Sequence, residues 1–430
     1  MERTLYLYDG KQEEMKKSYD VIVVGAGAAG MMAAITAADK KFSVLVIEQK
    51  KQEGSKILVT GKGRCNITND TDSAGVMKNV MSNRSFLYSA LFAFPPSEII
   101  RYFNNIGVAT VTERGRRVFP QSGKAADVRD ALVKQMQKSK VNVLKRNKVT
   151  SAVKGNDGFY YVNVLNDDNV TDCFRCVNLI LATGGMTYRS TGSDGSGYEL
   201  AKKLGHTVTE LKGALTGLLT KEKWVAETMG LTLRNVSLTV KKEVKALYKE
   251  QGELLFTHFG ISGPIVLTAS RYLLDTDYRN TVAVIDLKPA LEHQTLYRRI
   301  TSDMEKNASK KYANSLDALL PKSLIPVVIK LSGIDPDKVC NQITGEEKTT
   351  LVKLLKNLTL TVTSGMDIDD AVVTKGGISV KEINPSTMES KLSPHLFFAG
   401  EIIDCDALTG GYNLTIAFST GYLAGKSVYL

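Results

Sequence analysis

Ten residues, VIVVGAGAAG from Val21 to Gly30, constrain this chain more than any other stretch. An apolar run at 20–24 breaks into glycines at 25, 27 and 30. An Ala/Met-rich segment at 28–39 follows, long enough for three helical turns, and then SVLVIE at 43–48. Strand, glycine turn, helix and strand at these lengths predict one right-handed βαβ unit with two parallel neighbouring strands. The glycines then acquire separate tasks. Gly25 permits the tight turn, Gly27 lets main chain approach a pyrophosphate, and Gly30 lets the helix pack on the strand. The free N–H groups of the helix start face the phosphate charge. Glu48, 23 residues after Gly25, ends the second strand where a carboxylate accepts from both ribose hydroxyls. A structural glycine turn with an incidental acid is the weaker reading, because strand, turn, helix, strand and acid occur together.

A chain of 430 residues with 43% hydrophobic content predicts two or three soluble domains. The first seventeen residues mix charges without an apolar core, so they read as an extension and not a signal peptide. No run of 18 apolar residues occurs, so no membrane span is expected, and a cytoplasmic location is. Five cysteines suit a reducing compartment. The lone CxxC pair, Cys173 and Cys176, lacks the further ligands a zinc site needs, so no metal is expected. Of the net charge of +11, most comes from 71–150, which holds 14 Lys/Arg against 5 Asp/Glu. That surplus reads as a solvated face or as a surface for anionic ligands, a phosphorylated nicotinamide or nucleic acid. Without aromatic interleaving or a nucleic-acid motif, the solvated face is preferred and nucleic acid is not expected as a partner.

NAD and FAD share the βαβ cradle, and later segments favour the longer ligand. GSKILVTGKGRCNITN at 54–69 is a glycine-bearing loop with Lys56, Lys62 and Arg64. LILATGG at 179–185 is a strand running into a small-residue turn. The segment 396–425 reads as strand, acidic turn and glycine-opened helix. The N-terminus of that helix, entered through Gly410 and Gly411, would stabilise negative charge on a reduced flavin by about 0.3–1 kcal/mol. A closing helix with no ligand is the alternative. No second GxGxxG follows a strand, so a separate nicotinamide domain is not expected; either NADH or NADPH docks transiently, guided by Arg116, Arg117 and neighbouring charge, or the physiological oxidant and reductant are different molecules. Cys65 has no partner thiol nearby, against a dithiol reductase.

The stretches DVIVVGAGAAG, KILVTGKGRCNITN, RRVFPQSGKAADV, LATGGMTYRSTGSDGSGYELAKKLGH, THFGISGP, TKGGISVKEINPSTMESK and FFAGEIIDCDALTGGYNL together resemble the bacterial FAD-dependent oxidoreductases labelled aminoacetone-oxidase-like. That family includes a dehydro-bile-acid reductase of gut bacteria. The resemblance implies an α/β fold: a discontinuous, doubly wound Rossmann-like FAD domain with an inserted small β-barrel and helical subdomain. It places an extension at 1–18, the FAD domain at 19–205 and 370–430, and the insert at 206–369 with helices at about 290–356. It also implies, residue by residue, that Gly25, Gly27, Ala28, Ala29 and Gly30 meet the pyrophosphate, and that Glu48 and Gln49 meet the adenosine ribose. Lys56, Gly61, Gly63, Arg64, Cys65 and Asn66 would lie along the ribityl chain and flavin. Val149 would offer backbone to the adenine, and Ala182, Thr183, Gly184 and Gly185 would cover the other side. Gly400 and Glu401 would stand at the flavin end, with Gly411, Asn413 and Leu414 against the ring. Ser55, Ala407 and Thr415 depart from the family pattern, where Arg, Gly and Gln are expected.

The activity so implied is NAD(P)H-driven reduction of an activated C=C bond in a steroid-like or other apolar enone, a small-molecule substrate lodged between insert and FAD domain. The alternatives are an oxidase or dehydrogenase of a small amine or ketone, and an RNA-associated flavoprotein. His258, Tyr188 and Tyr412 are candidate proton donors, each with an equally ordinary structural reading. Oligomeric state is not legible.

Overall fold

Val21–Val24 and Val44–Ile47 are continuous apolar runs, the pattern of parallel strands buried on both faces, and they form the middle of a mixed sheet. The computed structural model describes residues 5–8 and 11–430, with side chains from residue 17 onward. Two compact units result: 1–213 with 368–430, and 214–367.

In the first unit, β1 (Leu5–Tyr8) pairs antiparallel with β2 (Lys11–Val24), followed by α1 (Ala28–Asp39) and β3 (Val44–Glu48). The strand read at 20–24 therefore starts nine residues earlier. Its first half is polar in sequence and is held by ladder bonds to β1 and to strand Thr171–Leu181, with Met15 opposite Cys173. β2 runs parallel to β3 in the register Val21↔Val44. β3 runs parallel to Asn142–Lys145. On its other side β2 runs parallel to Thr171–Leu181, whose first half pairs with Tyr160–Asn166 and whose last three residues pair with Leu396–Phe398. Strand Asn147–Lys154 completes the sheet. Cys173 and Cys176 lie buried and unbridged on the central strand.

Helix Tyr412–Ser427 closes the chain against α1. The approach is backbone to backbone: a Cβ on Gly421 would lie 2.3 Å from the Ala29 carbonyl, and one on Gly425 would lie 2.3 Å from that of Ala33. Small residues on both helices permit it.

The second unit is a closed six-stranded barrel in the order Leu218–Thr220, Gly260–Ser262, Lys245–Phe256, Thr232–Lys242, Thr281–Asp286, Leu358–Gly365. Alternation marks its strands; Leu238, Val240, Ala283, Ile285, Leu358 and Leu360 point into a core of its own. The expected helical stretch is His293–Lys306, Ile325–Ser332 and Gly345–Lys356, the last opened by a capping box of Thr344 and Glu347. Among the described residues no helix is long and apolar enough to cross a membrane, and no group of three or more His, Cys, Asp or Glu could hold a metal.

Candidate active site

The turn after β2 divides its glycines by task. Gly25 has φ 99° and gives its N–H to the Ile47 carbonyl at 2.8 Å. A Cβ on Gly30 would stand 1.9 Å from the Gly25 carbonyl oxygen, so turn and helix can touch only without it. Gly27, by contrast, has nothing within 4 Å of where its Cβ would be. It caps α1 with no side chain accepting from the first turn, leaving Ala28, Ala29 and Gly30 as helix-start N–H donors beside open space. That opening fits a diphosphate.

Glu48 is buried at the end of β3. Its Oε2 accepts from Ala26 N–H and its Oε1 from Lys50 N–H, both at 2.8 Å. Burial raises its carboxyl pKa against the pull of those two bonds. Gln49 Nε2 donates to the Gly192 carbonyl at 2.5 Å, and a Cβ on Gly192 would lie 3.7 Å from Glu48 Oε1. The 183–197 loop thus reaches Gln49 and Glu48. Val149 is buried on its strand beside a register shift between Val149 and Ser151. Ala182 and Thr183 follow the central strand; Thr183 Oγ1 is buried without a partner.

At the other end Lys56 Nζ donates to Glu401 Oε2 at 2.7 Å and Thr187 Oγ1 at 2.8 Å. Glu401 Oε1 also accepts from Thr374 N–H at 2.9 Å, and a Cβ on Gly185 would collide with this carboxylate. Gly400, which carries Glu401, has φ 79° and donates its N–H to Thr420 Oγ1 at 2.9 Å. Tyr188 sits in the left-handed region at φ 54°, its ring 5.7 Å from Lys56 Nζ, and is 36% exposed. Such strain persists only where surroundings impose it.

The 60–66 loop places Gly61 and Gly63 on its exposed side and buries Cys65, whose thiol is pushed up to about 12 by burial. The thiol therefore stays protonated and packs in the core. Arg64 pairs with Glu113 and lies over the Phe119 ring at 4.2 Å. Asn66 joins this loop to the closing helix: its carboxamide oxygen accepts from Gly411 N–H at 2.9 Å, while its nitrogen donates to the Thr68 and Val118 carbonyls. Gly411 caps the helix at φ 97° without a side-chain acceptor. Asn413 spends its amide on the Ala407 backbone, accepting at 3.0 Å and donating at 2.8 Å, so it shapes the turn before the helix. Leu414 and Tyr412 are half-buried. Buried Thr415 shares a 2.7 Å hydroxyl bond with Thr68.

The first unit therefore brings together the expected groups from 25–30, 48–49, 56–66, 182–185, 400–401 and 411–414. His258 belongs to the second unit, in the turn after Phe256, its ring edge-on to Phe259 at 5.1 Å. Sequence reasoning missed Thr187, Thr374 and Asn69. Thr374 Oγ1 accepts from Met186 N–H at 2.7 Å, and Asn69 Nδ2 donates to Gly115 and Gly410 at 3.0 Å each. Their only signal was adjacency to glycine-rich segments.

A profile described as the HI0933-like protein Rossmann domain matches residues 19–427. The chain is 32% identical to the 3-dehydro-bile acid delta(4,6)-reductase of Clostridium scindens, over 94% of this chain and 98% of that protein. It is 29% identical to the ribosomal RNA dihydrouridine synthase of Escherichia coli, over 95% of this chain and 98% of that one. Among solved structures it resembles the 3-ketosteroid delta1-dehydrogenase of Sterolibacterium denitrificans in complex with 1,4-androstadiene-3,17-dione, at TM-score 0.52 and 13% identity. That likeness covers 95% of this chain and 99% of that one and speaks to fold alone.

Proposed function

We propose, from the premise that this chain belongs to the HI0933-like Rossmann-domain family of FAD-dependent oxidoreductases, that it reduces a carbon–carbon double bond conjugated to a carbonyl, with NADH or NADPH as reductant. One observation carries the reading. Two helix starts without side-chain caps, behind Gly27 and Gly411, are fixed to each other by the Gly421 and Gly425 contact with α1. That is a frame for a long ligand with a phosphate at one end and a charge-accepting ring at the other.

FAD, when bound, supplies the hydride. The chain's residues do the rest. The first turn of α1 would hold the diphosphate, Glu48 the adenosine ribose, and Lys56 with Glu401 the ribityl end. The start of the closing helix would steady negative charge on the reduced ring. Tyr188 would protonate the α-carbon: burial raises its phenol pKa, so it stays protonated at neutral pH, and it is still open to solvent.

Both relatives' names describe this chemistry, since a 3-oxo-Δ4,6 steroid and a uracil ring each present a C=C bond conjugated to a carbonyl. A steroid-like enone is one substrate reading. A uracil base in RNA is the other, and the surplus of nine cations in 71–150 supports it where that surface meets a polyanion and is not simply solvated. The test is anaerobic. NADH or NADPH should bleach the flavin, and the reduced protein should then be reoxidised by one substrate class, with a gain of two hydrogens by mass. Bleaching by neither nicotinamide would remove the reductase reading, and peroxide formed from amines would replace it with the oxidase.

A further inference from the structure

We propose that the turn Arg114–Arg117 is the element that grips RNA phosphates and delivers a base to the flavin end of the site. This rests on the RNA reading above. The turn joins strands Thr110–Glu113 and Arg117–Pro120, paired in the register Glu113↔Arg117 and Thr112↔Val118. Arg114 and Arg116 are exposed and Arg117 is half-buried. Arg116 holds a left-handed φ of 58°, and its guanidinium has no partner among the described residues. Glu113, the acid within the turn, is spent on Arg64. Asp70 stands beside the turn, accepting from Thr112 Oγ1 at 3.4 Å.

The turn is anchored where a substrate grip is needed. Asn69, 2% exposed, donates from one Nδ2 to the carbonyls of Gly115 and Gly410, each at 3.0 Å, which puts the turn within about 6 Å of the residue that enters the closing helix. Asp70 N–H holds the Arg116 carbonyl at 2.7 Å, and Arg117 Nε holds that of Arg114 at 3.0 Å. Main chain fixed on three carbonyls presents its guanidinium groups from a rigid base, and their planar forks match phosphate oxygens.

A second feature favours single-stranded nucleic acid over other polyanions. The stretch read as lacking interleaved aromatics exposes two: Tyr88 (62%) and Phe92 (75%) stack in parallel at 6.4 Å. Their helix, Tyr88–Ala93, follows a loop bonded to the same 404–410 segment, through Asn83 to the Asp404 carbonyl at 2.6 Å and Leu408 N–H to the Asn79 carbonyl at 2.9 Å. Cations plus exposed ring faces are the recipe for single-stranded nucleic acid, whose bases stack while its phosphates pair.

The test uses the full-length flavoprotein and a fluorescein-labelled single-stranded oligouridine, its anisotropy followed across a salt series. Replacing all three residues (Arg114→Gln, Arg116→Gln, Arg117→Gln) should weaken binding and flatten the log K against log salt slope by about 2, and Arg116→Gln alone by about 0.7. Flavin absorbance should be unchanged, and so should reoxidation of the photoreduced protein, with no nicotinamide present, by a small 3-oxo-Δ4 steroid or free uridine. If the triple variant loses its flavin, the single exposed variant decides. Wild-type protein that binds but variants that keep its slope would overturn the turn's role and leave the RNA reading standing. No binding by the wild type at physiological salt would remove both. An unchanged slope with a raised KM for NADPH would reassign the turn to the nicotinamide phosphate. Tighter binding to phosphatidylserine vesicles than to RNA, lost in the variants, would reassign it to a membrane.

Discussion

At the scale of single residues, two glycines three apart should respond in opposite ways. Gly30→Ala forces a methyl to 1.9 Å from the Gly25 carbonyl. It should cost about 1–3 kcal/mol or more of stability even without FAD. Gly27→Ala meets nothing and asks for no unusual backbone, its φ being −78°. The FAD-free protein should be unchanged or gain about 0.4–1 kcal/mol, while FAD affinity falls because the methyl enters the diphosphate's space. Urea denaturation of the apoprotein beside an FAD titration separates the effects; equal loss of stability in both variants would contradict the assigned tasks. His206 yields a second expectation. It is buried between Glu382 Oε2 (3.2 Å from Nδ1) and Ser390 Oγ (2.9 Å from Nε2), and burial lowers its pKa despite the Glu382 charge. A lowered folded pKa means the unfolded chain binds the proton more readily, so stability is present above the ordinary value of 6.5 and is lost as pH falls below it. Melting temperature should therefore drop from neutral pH toward the folded pKa, and less steeply in His206→Asn, whose side chain does not titrate.

At the scale of elements, the contact between α1 and the closing helix sets the distance between the two capless helix starts. Gly421→Ala puts a methyl 2.3 Å from the Ala29 carbonyl and must spread the pair. It should cost about 1–3 kcal/mol and release FAD more than stability alone explains. A variant that keeps wild-type FAD affinity after losing that stability would show that helix spacing does not govern the site. Much of this frame was legible. The helix at 28–39, the strand ending at Glu48 and the helix opened by Gly411 are apolar or small-residue runs of the right length placed beside glycine signals. The start of β2 was not, because polar residues held by ladder bonds leave no burial pattern in sequence. Nor were the bonds of Asn69, Thr187 and Thr374, which span tens to hundreds of positions, nor that of the Asn413 side chain to the turn six residues before it.

At the scale of the whole molecule, the division of labour is uneven. Every residue assigned to FAD lies in 1–213 or 368–430, and the unit at 214–367 has a core that shares no buried residue with it. The inserted unit also closes on itself: Leu218 pairs with both Ile261 and Gly365, so its two ends are neighbours in one barrel and cutting there leaves no open sheet edge. Its last helix carries its own capping box, and Lys356 at its end bonds the Lys288 and Leu291 carbonyls and pairs with Asp286 at 2.6 Å, tying helix to barrel within the unit. Residues 214–367 produced alone should accordingly fold. They should melt in one cooperative transition with a heat-capacity change of about 2 kcal/mol/K, the value for a domain of this size. They should also be colourless and take up no FAD. A product without near-ultraviolet circular dichroism would show that the barrel core needs the first unit to form, and a yellow one would move the cofactor assignment away from the glycines at 25–30.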